Sequence, residues 1–212
     1  MFASMKPSAK DKLMDAAVAM IREKGFCATS VDDLCARAGV TKGAFFHHFD
    51  SKEKLGVEAA RHWDEMTSAF FAAQDYHQHD DPLDRVLGYI DFRKAILAGA
   101  VSEFTCLAGT MVQEVYDTSP AIRDAVDVTI SHHAARIEAD IEAAVERHGI
   151  EPDGWDAQSL ALHTQAVLQG AFILAKAKGG PKVAIQSVEH LRRYVSLLFG
   201  KETPAWAGKR MN

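Results

Sequence analysis

Hydroxyl, cationic and small side chains occur together in one short interval of the sequence, at spacings that suit contact with nucleic acid. Thr41 stands where a helix is predicted to begin, so that its hydroxyl and the free backbone N–H groups can donate to a phosphate. The next residue, Lys42, can donate to a phosphate or to a guanine edge. Gly43 is small enough to let a helix backbone approach a DNA groove closely, and His47 and His48 add polar surface. This pattern indicates contact with phosphates and bases.

Two short helices joined by a glycine must position these side chains. Ser30 and Asp33 form a capping-box pattern that begins the first helix, and Gly39 ends it. Thr41 then caps a second helix over residues 42–49. Two helices of about two turns each, joined by a tight turn, match the helix-turn-helix plan, in which the second helix lies in the major groove.

The rest of the chain also predicts helices, about nine in total, and the fold class is all-α. A capping box at Ser8 and Asp11 begins the first helix, Gly25 ends it, and Ser51 begins a fourth helix that runs to about Gln74. Apolar periodicity and turn residues predict the further helices, which cover residues 83–100, 103–116, 120–148, 156–178 and 182–199. We predict a DNA-binding domain over residues 1–54, an effector-binding and dimerisation domain over 55–200, and a flexible tail over 201–212.

Charge is distributed unevenly along the 212 residues. The chain carries a net charge of −5, but its first 55 residues carry a net charge of about +2 and the remainder about −7. We call the first 55 residues the head. A basic head followed by an acidic remainder of the chain is compatible with DNA binding through the head. No apolar run is long enough to span a membrane, and no secretory signal precedes the first helix, so we expect a cytoplasmic protein without a membrane partner.

Neither a metal centre nor an enzyme is expected. The three cysteines show no C-x-x-C spacing, and the histidines of the segment 77–81 lie in a short polar link that predicts a solvated loop. A nucleophile elbow, a P-loop, a dinucleotide-binding glycine pattern and an H-E-x-x-H motif are all missing from the sequence. We therefore expect no cofactor and no catalytic residues.

Residues 12–55 closely resemble the N-terminal domain of TetR-family (TetR/AcrR) repressors. The resemblance covers about a fifth of the chain and rests on a dense set of short motifs. These are Gly25-Phe26, Thr29-Ser30-Val31, Ala36-x-Ala38-Gly39-Val40, Thr41-Lys42-Gly43-Ala44 and His48-Phe49-x-Ser51-Lys52-x-x-Leu55.

The resemblance implies an all-α homodimer that binds a near-palindromic double-stranded operator and responds to a small molecule. It assigns DNA-facing positions to eight residues, namely Thr29, Thr41, Lys42, Gly43, Phe45, His47, His48 and Lys52. His47 and Phe46 both stand where tyrosine is common in the family, so a phosphate contact by a tyrosine hydroxyl would be replaced by imidazole at His47 and lost at Phe46. Repression is the usual mode of action in the family.

For the second domain, the family layout implies a ligand pocket and a dimer seam formed by the last two helices. Aromatic or polar residues on otherwise apolar faces are the pocket candidates, although core packing is an alternative role for each of them. They are Trp63, Met66, Phe70, Phe92, Phe104, Cys106, Met111, His132, His163 and Phe172. The dimer seam is predicted at Ala161, Gln165, Leu168, Val188, Leu191 and Val195, with packing inside one subunit as the alternative.

Two further alternatives remain open at this point. Some family members sense electrophiles or oxidants through a cysteine, and Lys176 could activate Cys106 in that way, or Cys106 could be a small buried apolar residue. An architectural DNA-binding protein without an effector is the alternative to a ligand-responsive regulator. Such a protein would bind DNA with little sequence preference.

Overall fold

The computed structural model describes residues 7–201 and forms these residues into α-helices without any strand. The predicted all-α class is confirmed, with ten α-helices and one short 3-10 turn in place of about nine helices. The predicted tail lies outside the described residues from position 202 onward. The helices are α1 (Ala9–Lys24), α2 (Val31–Ala38), α3 (Lys42–His48), α4 (Lys52–Ala72), α5 (Pro82–Ala95), α6 (Val101–Phe104), α7 (Leu107–Val115), α8 (Pro120–His148), α9 (Ala157–Lys178) and α10 (Lys182–Leu198).

Local capping residues begin and end the first helices where the sequence predicts. Ser8 and Asp11 form a reciprocal capping box at α1, with the Asp11 N–H donating to Ser8 Oγ over 3.2 Å. Ser30 and Asp33 repeat this arrangement at α2 over 3.0 Å. Gly39 ends α2 in the left-handed conformation, at φ 64°, which a residue without a Cβ adopts at little cost.

The predicted helix over residues 103–116 is wrong in one respect, because the structure divides it into α6 and α7. Thr105 has an extended backbone, and its carbonyl accepts a hydrogen bond of 2.9 Å from Arg22 Nε. In a continuous helix that carbonyl would accept from the N–H of Gly109, which here donates to Cys106 Sγ over 3.5 Å. A bond to a residue 83 positions away therefore replaces a local one.

Helix packing divides the chain into two compact units. Of the described residues, the first unit holds 7–74 and 98–135, which include α1–α4, α6, α7 and the first part of α8. Its core joins fully buried side chains of the head, such as Phe45 and Leu55, to Met111 and Ile122. Gly56 marks the closest approach, since a Cβ there would lie 2.8 Å from the Phe26 ring and 2.9 Å from Ile122 Cδ1. The predicted boundary after residue 54 concerns function rather than packing and stays a prediction.

Of the described residues, the second unit holds 75–97 and 136–201. A 3-10 turn at Asp75–Gln78 leads into α5, whose buried face includes Leu83 and Ile90. The end of α8, α9 and α10 complete the unit. Arg85 bonds Asp140 over 2.6 Å, so an ion pair joins α5 to α8. No helix within the described part of the chain is both long enough and apolar enough to cross a membrane.

Candidate nucleic-acid interface and ligand-binding residues

The start of α3 is exposed and carries the polar groups that were predicted to contact DNA. Thr41 is the N-cap of α3, and its Oγ1 accepts a hydrogen bond of 3.1 Å from the Ala44 N–H. Lys42 and Gly43 follow on the exposed surface, and His47 and His48 are exposed at the other end of the helix. The helix therefore presents a hydroxyl, a cation and two imidazoles to solvent along its short length.

Lys42 does not stand alone on this surface. Its Nζ lies 2.7 Å from Asp32 Oδ1, and both side chains are largely exposed. The hydrogen bond from Lys42 to Asp32 raises the pKa of the lysine. Because an exposed ion pair of this kind contributes little to stability, a DNA phosphate can replace Asp32 as the partner of Lys42 at small cost.

Gly43 leaves open space above the helix. A Cβ built at this position would meet only Thr41 Oγ1, at 3.7 Å, so packing within the chain does not require glycine here. The absence of a side chain instead brings the backbone of α3 closer to whatever lies against this surface. A DNA groove is the partner that the surrounding residues favour.

Phe46 is a surface residue that the predicted list of contacts omits. Its side chain is 53% exposed, although its neighbours Phe45 and Phe49 are buried in the core. An exposed aromatic side chain next to the paired rings of His47 and His48, whose centroids are 4.9 Å apart, extends the candidate interface. Helical spacing could have identified it, since Phe45 and Phe49 share one face and Phe46 falls outside it.

Two of the eight predicted DNA-facing side chains are corrected by the structure. Phe45 is fully buried and holds α3 against the core. Thr29 is also buried, at 1% exposure, and its hydroxyl donates to the Gly25 carbonyl over 2.7 Å. Both side chains therefore position the helices rather than present a surface. Their burial depends on packing between helices, which a local motif does not reveal.

Lys52 is half-buried at the start of α4. Its Nζ donates to the Cys27 carbonyl over 3.3 Å and lies 4.5 Å from the centroid of the Phe26 ring. These contacts hold the ammonium group beside the loop between α1 and α2. A phosphate contact by Lys52 stays a prediction.

The ten pocket candidates are divided between the two units. Met111 is fully buried in the core of the first unit, and His132 lies on its surface, with Nδ1 2.9 Å from Asp64 Oδ2. His163 is exposed on α9, with its ring centroid 5.3 Å from that of Tyr194. The interior-pocket prediction is therefore corrected for His132 and His163, and Met111 takes its alternative role in the core. The other candidates are Trp63, Met66, Phe70, Phe104 and Cys106 in the first unit, and Phe92 and Phe172 in the second.

Cys106 is half-buried at the N-cap of α7. Its predicted partner Lys176 belongs to the other compact unit, and an activating contact between the two stays a prediction. Within residues 7–201 no three metal-ligating side chains lie close enough together to hold an ion.

The predicted dimer-seam residues are corrected because they are buried within a single chain. All six are at most 6% exposed, since they pack α9 and α10 inside the second unit. They are Ala161, Gln165, Leu168, Val188, Leu191 and Val195. Helical periodicity identified a real apolar face, but it is the face that points into the subunit.

Exposed apolar side chains lie on other faces of the same two helices. Leu162 and Ile173 of α9 are 48% and 47% exposed, and Tyr194 and Leu197 of α10 are 43% and 67% exposed. The contact between the rings of His163 and Tyr194 brings the exposed surfaces of α9 and α10 next to each other. Several large apolar side chains exposed on two packed helices are typical of a protein–protein contact.

A helix-turn-helix head with an exposed second helix, followed by further helices, defines the class of helical DNA-binding regulators. Two family models match the chain, one described as "Bacterial regulatory proteins, tetR family" over residues 13–59 and one as "Tetracyclin repressor-like, C-terminal domain" over residues 82–191. The second match alone covers more than half of the chain. The chain belongs to the TetR family of bacterial transcriptional regulators.

Several curated relatives match about a quarter of the chain. The repressor KstR2 of Rhodococcus jostii is 40% identical over 58 residues, which are 27% of this chain and 28% of that protein. The negative regulator IcaR of the biofilm operon icaADBC in Staphylococcus aureus is 37% identical over 52 residues, 24% of this chain and 28% of IcaR. The matched segment thus spans little more than a quarter of these relatives.

Solved structures match nearly the whole chain in fold. A TetR-family regulator from Agrobacterium tumefaciens has a TM-score of 0.77 at 19% identity and covers 88% of this chain and 96% of its own. A TetR regulator from Chloroflexus aurantiacus has a TM-score of 0.76 at 25% identity and covers 89% and 94%. The fold of the family therefore extends through both units of this chain.

Proposed function

We propose that the chain is a homodimeric repressor that binds a near-palindromic DNA operator through α3 and leaves it when a small molecule binds. The observation that carries the proposal is the exposed start of α3, where Thr41, Lys42 and Gly43 combine a phosphate donor, a cation and an open backbone. The names of the relatives KstR2 and IcaR, a repressor and a negative regulator, support repression. Its place of action is the cytoplasm, as the sequence predicts.

The revised dimer contact is the exposed surface of α9 and α10 rather than the buried residues first predicted. Its apolar side chains are Leu162, Ile173, Tyr194 and Leu197. A second copy of the chain covers this surface and relates the two copies of α3 by a twofold axis. The two copies would then enter successive major grooves, about 34–36 Å apart.

The effector acts through its different affinities for the DNA-bound and free conformations. The first unit offers the connection, because α7 and the first part of α8 share a core with the head. Glu114 of α7 accepts a hydrogen bond of 2.8 Å from the Cys27 N–H, in the loop between α1 and α2. A shift of α7 is therefore transmitted directly to the loop that precedes α2.

DNase I footprinting on the DNA upstream of the chain's own gene tests the proposal. We expect the wild-type protein to protect a discrete region of this DNA, and the Lys42→Ala variant to lose that protection. The control Lys182→Ala, which removes an exposed lysine at the start of α10, should retain it. Protection that spreads evenly along the DNA would instead support the architectural alternative. Equal footprints for both variants would remove α3 from the interface.

A further inference from the structure

Arg22, near the end of α1, is a half-buried cation without a carboxylate partner. Its Nε donates to the Thr105 carbonyl over 2.9 Å, and its guanidinium carbon lies 4.8 Å from the centroid of the Trp63 ring. Burial lowers the pKa of Arg22. Among the residues that the structure describes, nothing accepts a hydrogen bond from its two terminal amino groups, and no carboxylate lies within ion-pair distance.

Two other half-buried arginines of the same chain are paired with carboxylates. Arg85 bonds Asp140 over 2.6 Å, and Arg192 bonds Asp91 over 2.8 Å. Glu103 is the carboxylate that influences the pKa of Arg22, but its Oε2 accepts a hydrogen bond of 2.7 Å from the Ala100 N–H at the start of α6. A guanidinium withdrawn from water is stable when an anion completes its hydrogen bonds, and no described side chain supplies one to Arg22.

Thr105 supplies a second and independent indication that a ligand binds beside Arg22. Its side chain is 1% exposed, and its Oγ1 is the one buried side-chain oxygen or nitrogen among the described residues that has no hydrogen-bond partner. Buried hydroxyl groups in proteins are normally satisfied, so an unsatisfied one requires an explanation. A bound group that accepts from both Thr105 and Arg22 would provide it.

The surroundings favour an anion with an apolar part. Helix α7 begins two residues after Thr105, and its N-terminal end carries a partial positive charge. On α4, Trp63, Met66 and Phe70 follow one another at helical spacing on one face, and the last two are 42% and 47% exposed. This apolar strip begins at Trp63, and the Arg22 guanidinium lies over the ring of Trp63.

We propose that Arg22 and Thr105 bind the carboxylate of an amphipathic small molecule, whose apolar part lies along Trp63, Met66 and Phe70. The planar fork of the guanidinium suits the two oxygens of a carboxylate. Because Arg22 Nε already donates to the Thr105 carbonyl, a carboxylate on the two terminal amino groups would lie beside the bond that joins α1 to the α6–α7 junction. The inference rests on the proposed function only in assigning this molecule the role of effector.

Octanoate is the probe that tests the site, with 1-octanol as the uncharged control of the same chain length. Titration calorimetry on the full chain without DNA measures both affinities, and tryptophan fluorescence of a variant that carries Trp155→Phe and Trp206→Phe, and so keeps Trp63 alone, reports contact at the site. We expect octanoate to bind at least roughly tenfold more tightly than 1-octanol, since a charge-assisted hydrogen bond contributes about that much.

Three variants locate the binding. Arg22→Met should weaken octanoate roughly tenfold and leave 1-octanol unchanged, whereas the control Arg61→Met, which removes an exposed arginine paired with Glu58, should change neither. Thr105→Val, which replaces the unsatisfied hydroxyl with a methyl group, should weaken octanoate severalfold. If Arg22→Met does not fold, Thr105→Val decides alone. Equal binding of octanoate and 1-octanol, no binding of octanoate below about 10 mM, or unchanged octanoate affinity in Thr105→Val would overturn the proposal.

Failure of this inference is distinguishable from failure of the proposed function. A chain that protects a discrete operator but does not bind octanoate keeps its function and loses the carboxylate site. A chain that binds octanoate through Arg22 but protects no operator keeps the site and loses the proposed function.

Discussion

Lys42 and Asp32 form an ion pair of 2.7 Å across the turn between α2 and α3, on the surface that the proposed function assigns to DNA. The carboxylate therefore competes with a DNA phosphate for the same ammonium group. Because both side chains are exposed, this competition affects DNA binding much more than folding.

Removing the competing carboxylate should strengthen DNA binding. We expect Asp32→Asn to raise affinity for DNA severalfold at low salt, since it frees Lys42 and removes a negative charge from the interface. The control Glu151→Gln makes the same change in net charge at an exposed position of the second unit and should leave affinity unchanged. Fluorescence anisotropy across a salt series measures both, and an equal response of the two variants would argue against Lys42 as a phosphate contact.

Two glycines should respond to alanine in opposite ways. Gly43→Ala adds a Cβ that meets only Thr41 Oγ1, so it should leave stability unchanged or raise it by up to about 1 kcal/mol while it weakens operator binding. Gly56→Ala places a Cβ 2.8 Å from the Phe26 ring, and should cost about 1–3 kcal/mol. Denaturant unfolding and operator titration measure the two effects. Full operator affinity in Gly43→Ala would show that DNA does not approach this backbone.

A charge on the exposed surface of α10 should separate the subunits. Leu197→Glu places a carboxylate at a side chain that is 67% exposed in the single chain, and we expect it to convert the dimer to a monomer because that charge would be buried at the contact. Val128→Glu is the matched control, since Val128 is also exposed, at 50%, but lies on α8. Light scattering coupled to size-exclusion chromatography gives the mass of each variant. A dimer that survives Leu197→Glu would place the seam elsewhere.

The capping box of α2 should persist in acid. Hydrogen bonds from Lys24 and from Ser30 lower the pKa of Asp33 from 3.8 to about 2. Because the folded pKa is the lower one, the carboxylate stabilises the folded state fully above pH 3.8, and this contribution is lost as the pH falls through about 2. NMR titration of the side-chain carboxyl carbon should show this midpoint, and Lys24→Met should move it upward. A midpoint near 3.8 in the wild type would contradict the observed hydrogen bonds.

Local chemistry predicted the elements that position the candidate interface. Serine followed three residues later by aspartate begins α1 and α2 in the structure as in the sequence, because a capping box needs no distant partner. The turn at Gly39 and the exposed start of α3 follow from the same kind of signal. A spacing rule of this sort depends on residues within one turn of each other.

Distant contacts set the limit of what the sequence could predict. Phe45 and Thr29 belong to a recognisable motif, but whether each side chain faces DNA or the core depends on helices that pack from elsewhere in the chain. The break between α6 and α7 depends on Arg22, which lies 83 residues before Thr105. On α9, periodicity could not distinguish the face of Leu168, which is buried, from the face of Leu162, which is exposed.

The ratio of operator affinity to non-specific affinity, measured for wild-type protein and Lys42→Ala at physiological salt, tests the central claim most directly. A regulator that reads its operator through α3 should bind one near-palindromic sequence at least roughly a thousandfold more tightly than unrelated DNA, and Lys42→Ala should reduce operator affinity substantially. A ratio near one, or an operator affinity that Lys42→Ala leaves unchanged, would contradict the account.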